Sequence, residues 1–268
     1  MKSFVIDVGI CNGCYCCQIA CKDEHVANDW TPYAKPQPDT GQFWLKQHEF
    51  VRGTVPKVKM YYRPILCMHC DDAPCIPSCP IEGAIYKRDD GLVIIDPEKC
   101  TGCKNCVDAC PYKVIYFNED LNIAQKCTGC AHLLDSGWKE PRCADACPTG
   151  ALKFGEESDF KAQIKKAEVL NPEYKAKPRV YYLNIPKKFV AGTVYDPKEQ
   201  EVIIGANCTL TSGDKKWTAT TDGFGDFWFE GLDVGKFSLK IEKDGKSKTI
   251  GSINTEKDVN LGDIPFPK

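Results

Sequence analysis

The residues with chemistry to offer are cysteines. Of eighteen, sixteen fall into four quartets. Cys11, Cys14, Cys17 and Cys21 are spaced C-x2-C-x2-C-x3-C, and Cys100, Cys103, Cys106 and Cys110 repeat that spacing and add Pro111. Cys67, Cys70, Cys75 and Cys79, followed by Pro80, form a widened version. Cys127, Cys130, Cys143 and Cys147, followed by Pro148, form the most stretched, with 12 residues between the second and third thiols. Thiolates so close in sequence suit a four-iron, four-sulfide cube, provided the loop turns tightly. Gly13, Gly102 and Gly129 precede the second cysteine of three quartets, where a residue without Cβ permits positive φ. The Cys67 quartet has Met68-His69 there and is expected to turn differently.

Two other chemistries compete. A disulfide framework suits short secreted chains, and cysteines three apart pair poorly with one another. Zinc favours two separated C-x2-C pairs in closed tetrahedral sites, without the third cysteine and C-P ending seen here. The pattern is instead that of the bacterial ferredoxin run, repeated. In two-cluster ferredoxins the fourth cysteine of a run leaves for the other cube. If pairs of quartets exchange in that way, the nested order groups Cys67, Cys70, Cys75 with Cys110, and Cys100, Cys103, Cys106 with Cys79. The outer pair is then Cys11, Cys14, Cys17 with Cys147, and Cys127, Cys130, Cys143 with Cys21. Lys22, not proline, follows Cys21, so that exit departs from the pattern.

The elements that must position these thiols are short. Ala84–Lys87 and Leu92–Ile95 flank an Asp-Asp-Gly turn, and Val114–Phe117 and Ile123–Lys126 flank a second turn, so a hairpin joins successive quartets. Phe4–Val8 and Ala151–Phe154 are expected as terminal strands. Residues 22–66 are the largest insertion; His25, Trp30, Tyr33, Trp44, His48, Tyr61 and Tyr62 there are read as cover over the clusters, or as a partner surface. His69 and His132 are read as packed or hydrogen-bonded neighbours of ligands. Lys22, Lys99, Lys104 and Lys126 lie close enough in sequence to raise cluster potentials, although most surface lysines are merely solvated. Cys16 breaks the spacing and is read as a packed neighbour, and Cys208 as a buried thiol of a strand with Ala206 and Leu210.

The 35 basic and 37 acidic residues leave a formal charge of -2, which gives no footprint for nucleic acid or anionic membranes. Each cube with four thiolates adds about -2, so four add about -8. No apolar run approaches the roughly 18 residues that span a bilayer. Met1–Asp7 meets an acid before any apolar leader could form and carries no twin-arginine pair, so any export is expected to rely on a partner. No phosphate loop and no G-x-S-x-G is present.

After Phe154 the chain changes character. Asp159–Leu170 has an amphipathic helical pattern ended by Pro172, and Arg179–Leu183 reads as an extended strap. Seven short β-runs follow, at residues 190–195, 202–210, 217–221, 227–229, 237–241, 249–253 and 259–261, and imply a β-sandwich. Asp222 and Asp226 lack a calcium ligand set and are read as turn residues. The expected class is α+β: tandem ferredoxin-like units over residues 1–155, a connector over 156–188, and an all-β sandwich over 189–268.

The quartets as written, "CMHCDDAPC", "CTGCKNCVDACPY", "KCTGCAHLL" and "PRCADACPTGA", resemble the iron–sulfur subunits that accompany molybdopterin enzymes of the dimethyl sulfoxide reductase superfamily. The segment "TDGFGDFWFEGLDVGKFSLKI" is similar to prealbumin-like or carboxypeptidase-regulatory modules. Together with the Lys-Pro-Arg-Val-Tyr-Tyr strap, "DEH" at Asp23–His25 and "AQKCT" at Ala124–Thr128, this resembles the small subunits of pyrogallol–phloroglucinol transhydroxylases and their catechol-dehydroxylase relatives. The resemblance implies a non-catalytic wire of four 4Fe-4S clusters in an anaerobic, cytoplasmic complex. It implies a large partner subunit holding molybdopterin guanine dinucleotide with molybdenum or tungsten and acting on hydroxylated aromatics. The alternatives are a subunit of a respiratory arsenate or polysulfide reductase, co-exported with a twin-arginine partner, a free polyferredoxin shuttle, and a protein whose clusters only staple the fold.

Overall fold

The computed structural model describes residues 1–266; the last two residues of the expected sandwich lie outside the described residues. The chain divides into two compact units, Met1–Phe50 with Tyr61–Ile185, and Val51–Met60 with the chain from Pro186 onward.

In the first unit β1 (Lys2–Asp7) precedes α1 (Cys16–Val26) and the hairpin of β2 (Leu45–Thr54) and β3 (Lys57–Leu66), whose tip groups with the second unit. Next come α2 (Cys75–Ser78), the hairpin of β4 (Ile85–Lys87) and β5 (Val93–Ile95), α3 (Asn105–Ala109), and the hairpin of β6 (Tyr116–Asn118) and β7 (Ile123–Gln125). The helices α4 (Ala131–Asp135) and α5 (Arg142–Asp145), then β8 (Leu152–Glu156), a 3-10 turn, α6 (Lys161–Ile164) and β9 (Val180–Leu183) complete it. β8 lies antiparallel to β1, and β9 runs parallel to β1 on its other side. The helices pack in two pairs, α1 on α5 and α2 on α3, around a core that mixes Phe4, Ile6, Trp44, Leu66 and Ile94 with cysteines of all four quartets. No helix among the described residues is long and apolar enough to cross a membrane.

Three local outcomes depart from the sequence reading. The helix expected over 159–170 shrinks to one 3-10 turn and α6, because the backbones of Glu168 and Tyr182 exchange two 2.8 Å hydrogen bonds and draw the chain into extended form. The insertion builds the β2–β3 hairpin, an element absent from the expected set. The Cys67 turn follows the other quartets: His69 takes the left-handed conformation (φ 43°) that Gly13, Gly102 and Gly129 take elsewhere.

The second unit holds β10 (Lys188–Asp196), β11 (Glu201–Val202), β12 (Asn207–Ser212), β13 (Lys215–Thr220), β14 (Asp226–Leu232), β15 (Lys236–Lys243), β16 (Lys246–Asn254) and β17 (Val259–Pro265). One sheet runs β11-β10-β14 with β17 also on β10; the other runs β13-β12-β15-β16. Both contribute to one apolar core, with Val190, Phe227 and Ile264 from the first and Cys208, Leu210, Leu239 and Ile241 from the second. The run expected at 202–210 is two strands, split where Gly205 adopts φ 72° and the chain passes from one sheet to the other. Arg52 makes a two-pronged ion pair with Asp258 (2.8 and 2.6 Å), and buried Lys57 pairs with Asp226. Asp222 caps its own turn, accepting from the backbone of Phe224 and Asp226.

Candidate iron–sulfur centres

Each quartet starts from a left-handed turn and carries its third cysteine on a helix. Gly13, Gly102 and Gly129 have φ of 69°, 74° and 64°, and a Cβ there would strike the ring of Tyr62, the carbonyl and side chain of Asn122, and Leu92, respectively. The turns are therefore closed from behind as well as conformationally restricted. Proline then decides how each run leaves. Cys79 and Cys110, each before proline, sit extended at the C-caps of α2 and α3 (ψ 124° and 110°), because a residue before proline is disfavoured in the helical region. Cys21 lacks that proline, and α1 continues through it to Val26. The departure at Lys22 is thus an extended helix.

The thiols come together across quartets. Burial pushes Cys17 up to about 12, and the neighbouring charges that reinforce this belong to Cys11, Cys147 and Cys14. Cys21, held well above its ordinary value by burial, has Cys127 and Cys130 beside it, while Cys143 is surrounded by Cys130, Cys21, Cys127 and Cys17. Cys70, raised to about 12 by burial, has Cys67, Cys75 and Cys110 as neighbours. Cys106, raised likewise, neighbours Cys100, Cys75 and Cys103. Cys79 caps α2, the helix packed on α3 that carries Cys106. Burial raises a thiol because the thiolate loses hydration, so proton release on binding iron is built into these sites.

Neighbour relations also link one group to the next. Cys17 and Cys21 share α1, Cys127 has Cys67 beside it, and Cys75 lies beside Cys106. The order is therefore Cys11/14/17/147, Cys21/127/130/143, Cys67/70/75/110 and Cys100/103/106 with Cys79 at its helix end. Cys14 and Cys103, at opposite ends of that order, are exposed. No group of three or more His, Cys, Asp or Glu among the described residues is gathered tightly enough for a single metal ion. A space of about 330 Å³, partly open to solvent, is bordered by Cys67, Cys70, Cys75 and Cys110 with Val93 and Ile115.

The surroundings fit an inorganic sulfur cluster. Backbone N–H groups already address sulfur: Ala124 to Cys100 and Gly129 to Cys127 at 3.4 Å, Leu152 to Cys147 at 3.5 Å. His69, the residue before Cys70, accepts from the Val93 N–H at Nδ1 (3.0 Å), so its neutral ring carries the proton at Nε2, a buried donor without a partner. Burial, with Lys126 and Arg179 nearby, holds His69 well below its ordinary value. Thr128 Oγ1 is likewise buried and unpaired. Hydroxyl and ring N–H groups of this kind are donors for which sulfide or thiolate is a natural partner, whereas His25 and His132 already donate, at Nδ1 to the Cys21 carbonyl and at Nε2 to Glu24.

Part of the insertion is buried cover, while its hairpin tip exposes Val51, Val55 and Met60. Trp44 is 1% exposed and packs on His25, which burial lowers to about 4; Trp30 stacks on His132 at 4.3 Å, and His132 Nε2 meets Glu24 at 3.0 Å. Phe50 stacks on Tyr61 under Arg63. Cys16 is half-buried with Cys14 and Cys147 among its neighbours, and Cys208 is enclosed in the sandwich core. Sequence reasoning missed the Glu24–His132–Arg142 group, since nothing in sequence joins positions so far apart.

Residues 58–157 match the model of a 4Fe-4S dicluster domain, and residues 190–263 that of a carboxypeptidase regulatory-like domain. Over 97% of each chain the protein is 41% identical to the small subunit of pyrogallol hydroxytransferase from Pelobacter acidigallici. A tetrathionate reductase subunit of Salmonella typhimurium is 34% identical over 70% of this chain and 74% of its own. The iron–sulfur subunit of arsenate respiratory reductase from Shewanella sp. is 33% identical over 71% of this chain and 98% of its own. With ferredoxin-type thiol groups joined end to end and relatives of this kind, the chain belongs to the iron–sulfur electron-transfer subunits of the dimethyl sulfoxide reductase superfamily of molybdopterin enzymes.

Proposed function

We propose that this chain conducts electrons over four 4Fe-4S clusters to or from a large subunit that holds molybdopterin guanine dinucleotide, with molybdenum or tungsten, and acts on hydroxylated aromatics. The ligand sets are Cys11, Cys14, Cys17, Cys147; Cys21, Cys127, Cys130, Cys143; Cys67, Cys70, Cys75, Cys110; and Cys79, Cys100, Cys103, Cys106. The observation that carries this reading is the unbroken succession of thiol neighbours from exposed Cys14 to exposed Cys103. When bound, the clusters supply one-electron redox steps; the protein's residues hold them in series and keep water away. The chain itself has no substrate site in this proposal, and the complex is cytoplasmic, where thiols stay reduced.

The aromatic-substrate branch is favoured over a respiratory reductase by the second unit. Similarity to the tetrathionate and arsenate reductase subunits covers 70% and 71% of the chain, whereas similarity to the hydroxytransferase subunit covers 97% and so takes in the β-domain as well. Anaerobic purification from the native source tests the proposal. The expected result is a complex with a large molybdenum- or tungsten-containing chain, about sixteen irons per copy of this one, and turnover of polyhydroxylated benzenes. Isolation of this chain as a free monomer would replace the wire by a shuttle, and turnover of arsenate or tetrathionate instead would move it to the respiratory branch.

A further inference from the structure

Three cationic side chains among the described residues are buried as deeply as the core: Lys57, Lys126 and Arg179. Two face carboxylates, Lys57 the side chain of Asp226 and Arg179 those of Asp71 and Glu157. Lys126, only 2% exposed, has no ion-pair partner among the described residues; its ammonium donates to the carbonyls of Val93 and Cys127, the latter at 3.1 Å. An uncompensated buried charge is strongly destabilising, and carbonyl dipoles offset only part of its lost hydration. Lysine persists at such a site when negative charge of another kind faces it.

The two carbonyls say where that charge lies. Val93 borders the space enclosed by Cys67, Cys70, Cys75 and Cys110, and Cys127 opens the neighbouring thiol group. Lys126 therefore stands where the second and third groups meet. Its positive charge opposes the upward push of burial at both Cys75 and Cys127. None of the other lysines near ligands is placed in this way: Lys99 and Lys104 are about half exposed and pair with Asp96 and Glu119, and Lys22 reaches the carbonyls of Pro38 and Gln42.

We propose that Lys126 is the shared, fixed counter-charge of the two interior clusters and raises the reduction potential of both, leaving the two terminal clusters unaffected. This rests on the four-cluster reading above. A cube with its four thiolates carries about -2, and accepting one electron from the next cube in the series takes it to about -3. Attraction to a fixed ammonium grows with that charge, so the electron-rich state gains more. Placed at the central junction, the charge keeps the middle of the series from becoming a barrier to electrons that enter at either end.

The test uses the anaerobic holocomplex with Lys126→Gln, which keeps amide donors for the two carbonyls but removes the charge, alongside Lys126→Arg and the exposed control Lys99→Gln. Iron is counted, and midpoint potentials are read by redox titration with paramagnetic resonance detection. In Lys126→Gln the reduction equilibrium of two clusters is expected to fall at least tenfold, about 59 mV for a one-electron couple, with the other two unmoved; Lys126→Arg and Lys99→Gln are expected to stay close to the parent. If Lys126→Gln loses interior-cluster iron while Lys126→Arg keeps it, the charge requirement stands. A fully loaded Lys126→Gln with unshifted potentials, a uniform shift of all clusters, or equal iron loss in Lys126→Gln and Lys126→Arg would each overturn the inference. The four-cluster reading fails separately, by an iron count in the unaltered protein well below sixteen.

Discussion

Replacing Arg179 by methionine tests whether β9 is held to the cluster unit by charge rather than by strand pairing alone. Arg179 is almost fully buried; it donates from Nε to the Lys2 carbonyl at 2.9 Å, from Nη1 to both Asp71 oxygens at 3.2 Å, and from Nη2 to Glu157 at 2.5 Å. Truncating one member of a fully buried pair costs about 3–5 kcal/mol, because the other charge is stranded. Here the carboxylates are 38% and 40% exposed and can rehydrate, whereas the Lys2 carbonyl simply loses its donor. The expected loss is therefore lower, roughly 2–3 kcal/mol. Burial alone would raise Asp71, but Lys87 and Arg179 outweigh it and hold the carboxyl below its ordinary range. A depressed acid stabilises the fold above its unfolded value, near 3.9, and loses that contribution as pH falls through the folded value. The difference between parent and variant should thus be complete at neutral pH and shrink below about pH 4. Urea unfolding of the holoprotein, followed by cluster absorbance and circular dichroism, measures it. A variant within about 0.5 kcal/mol of the parent at pH 7, the scatter of ordinary surface changes, would refute the reasoning.

Four further outcomes follow from the same geometry. Lys22→Pro places proline inside α1, where it removes a helical hydrogen bond and strains Cys21, and should cost about 3 kcal/mol in the urea transition, although the same residue is native after Cys79, Cys110 and Cys147. Gly102→Ala forces a Cβ within 2.6 Å of the Asn122 carbonyl at φ 74°, so the protein should retain less iron than Gly137→Ala, where φ is also positive but nothing lies within 4 Å. Asp258→Asn removes the carboxylate that faces the mostly buried Arg52 and weakens the bond from the Phe189 N–H (3.0 Å); thermal unfolding should show a loss of about 2–4 kcal/mol, and Asp226→Asn should act similarly on Lys57. Cys16→Ala should leave iron content unchanged and Cys17→Ala should remove about four irons, since Cys17 is the buried thiol with Cys11, Cys14 and Cys147 around it.

What was legible in the sequence was what is local. The quartet turns, the β4–β5 and β6–β7 hairpins and most strands of the sandwich depend on neighbours within a dozen residues, so Gly, Pro and alternation announce them. The shortened helix before Leu170 shows the limit: Phe160, Ile164 and Ala167 have helical spacing, but the Glu168–Tyr182 bridge connects distant positions and overrides it. The β2–β3 hairpin is only faintly announced: Pro56 marks its tip, but Trp44–Phe50 has four polar residues in a row and no apolar alternation. The four lysines near ligands are equivalent as letters. Only burial separates Lys126 from Lys99 and Lys104, and burial there is decided by which hairpin closes over which turn.

The two kinds of junction in the proposed series are built differently, and the difference explains where charge control is needed. Cys17 and Cys21 are four residues apart on α1, about 6 Å of axial rise, so two successive groups are tied to one rigid element. Cys75 and Cys79 bracket α2, and Cys106 and Cys110 bracket α3, so the packed pair α2–α3 ties the third and fourth groups in the same manner. The junction between the second and third groups has no such helix. It is made by Cys67 meeting Cys127, contributed by loops that follow β3 and β7 and are brought together by tertiary packing. Local helical rise fixes spacing at the outer junctions, whereas at the centre both spacing and electrostatics depend on what packs between the loops. The residue found there, with its ammonium held by Val93 of β5 and the carbonyl of Cys127, is Lys126. A repeated ferredoxin unit supplies the outer links by its own helices; where two such units meet, a buried cation would suit the seam, because both adjoining groups would be anionic with the proposed clusters bound.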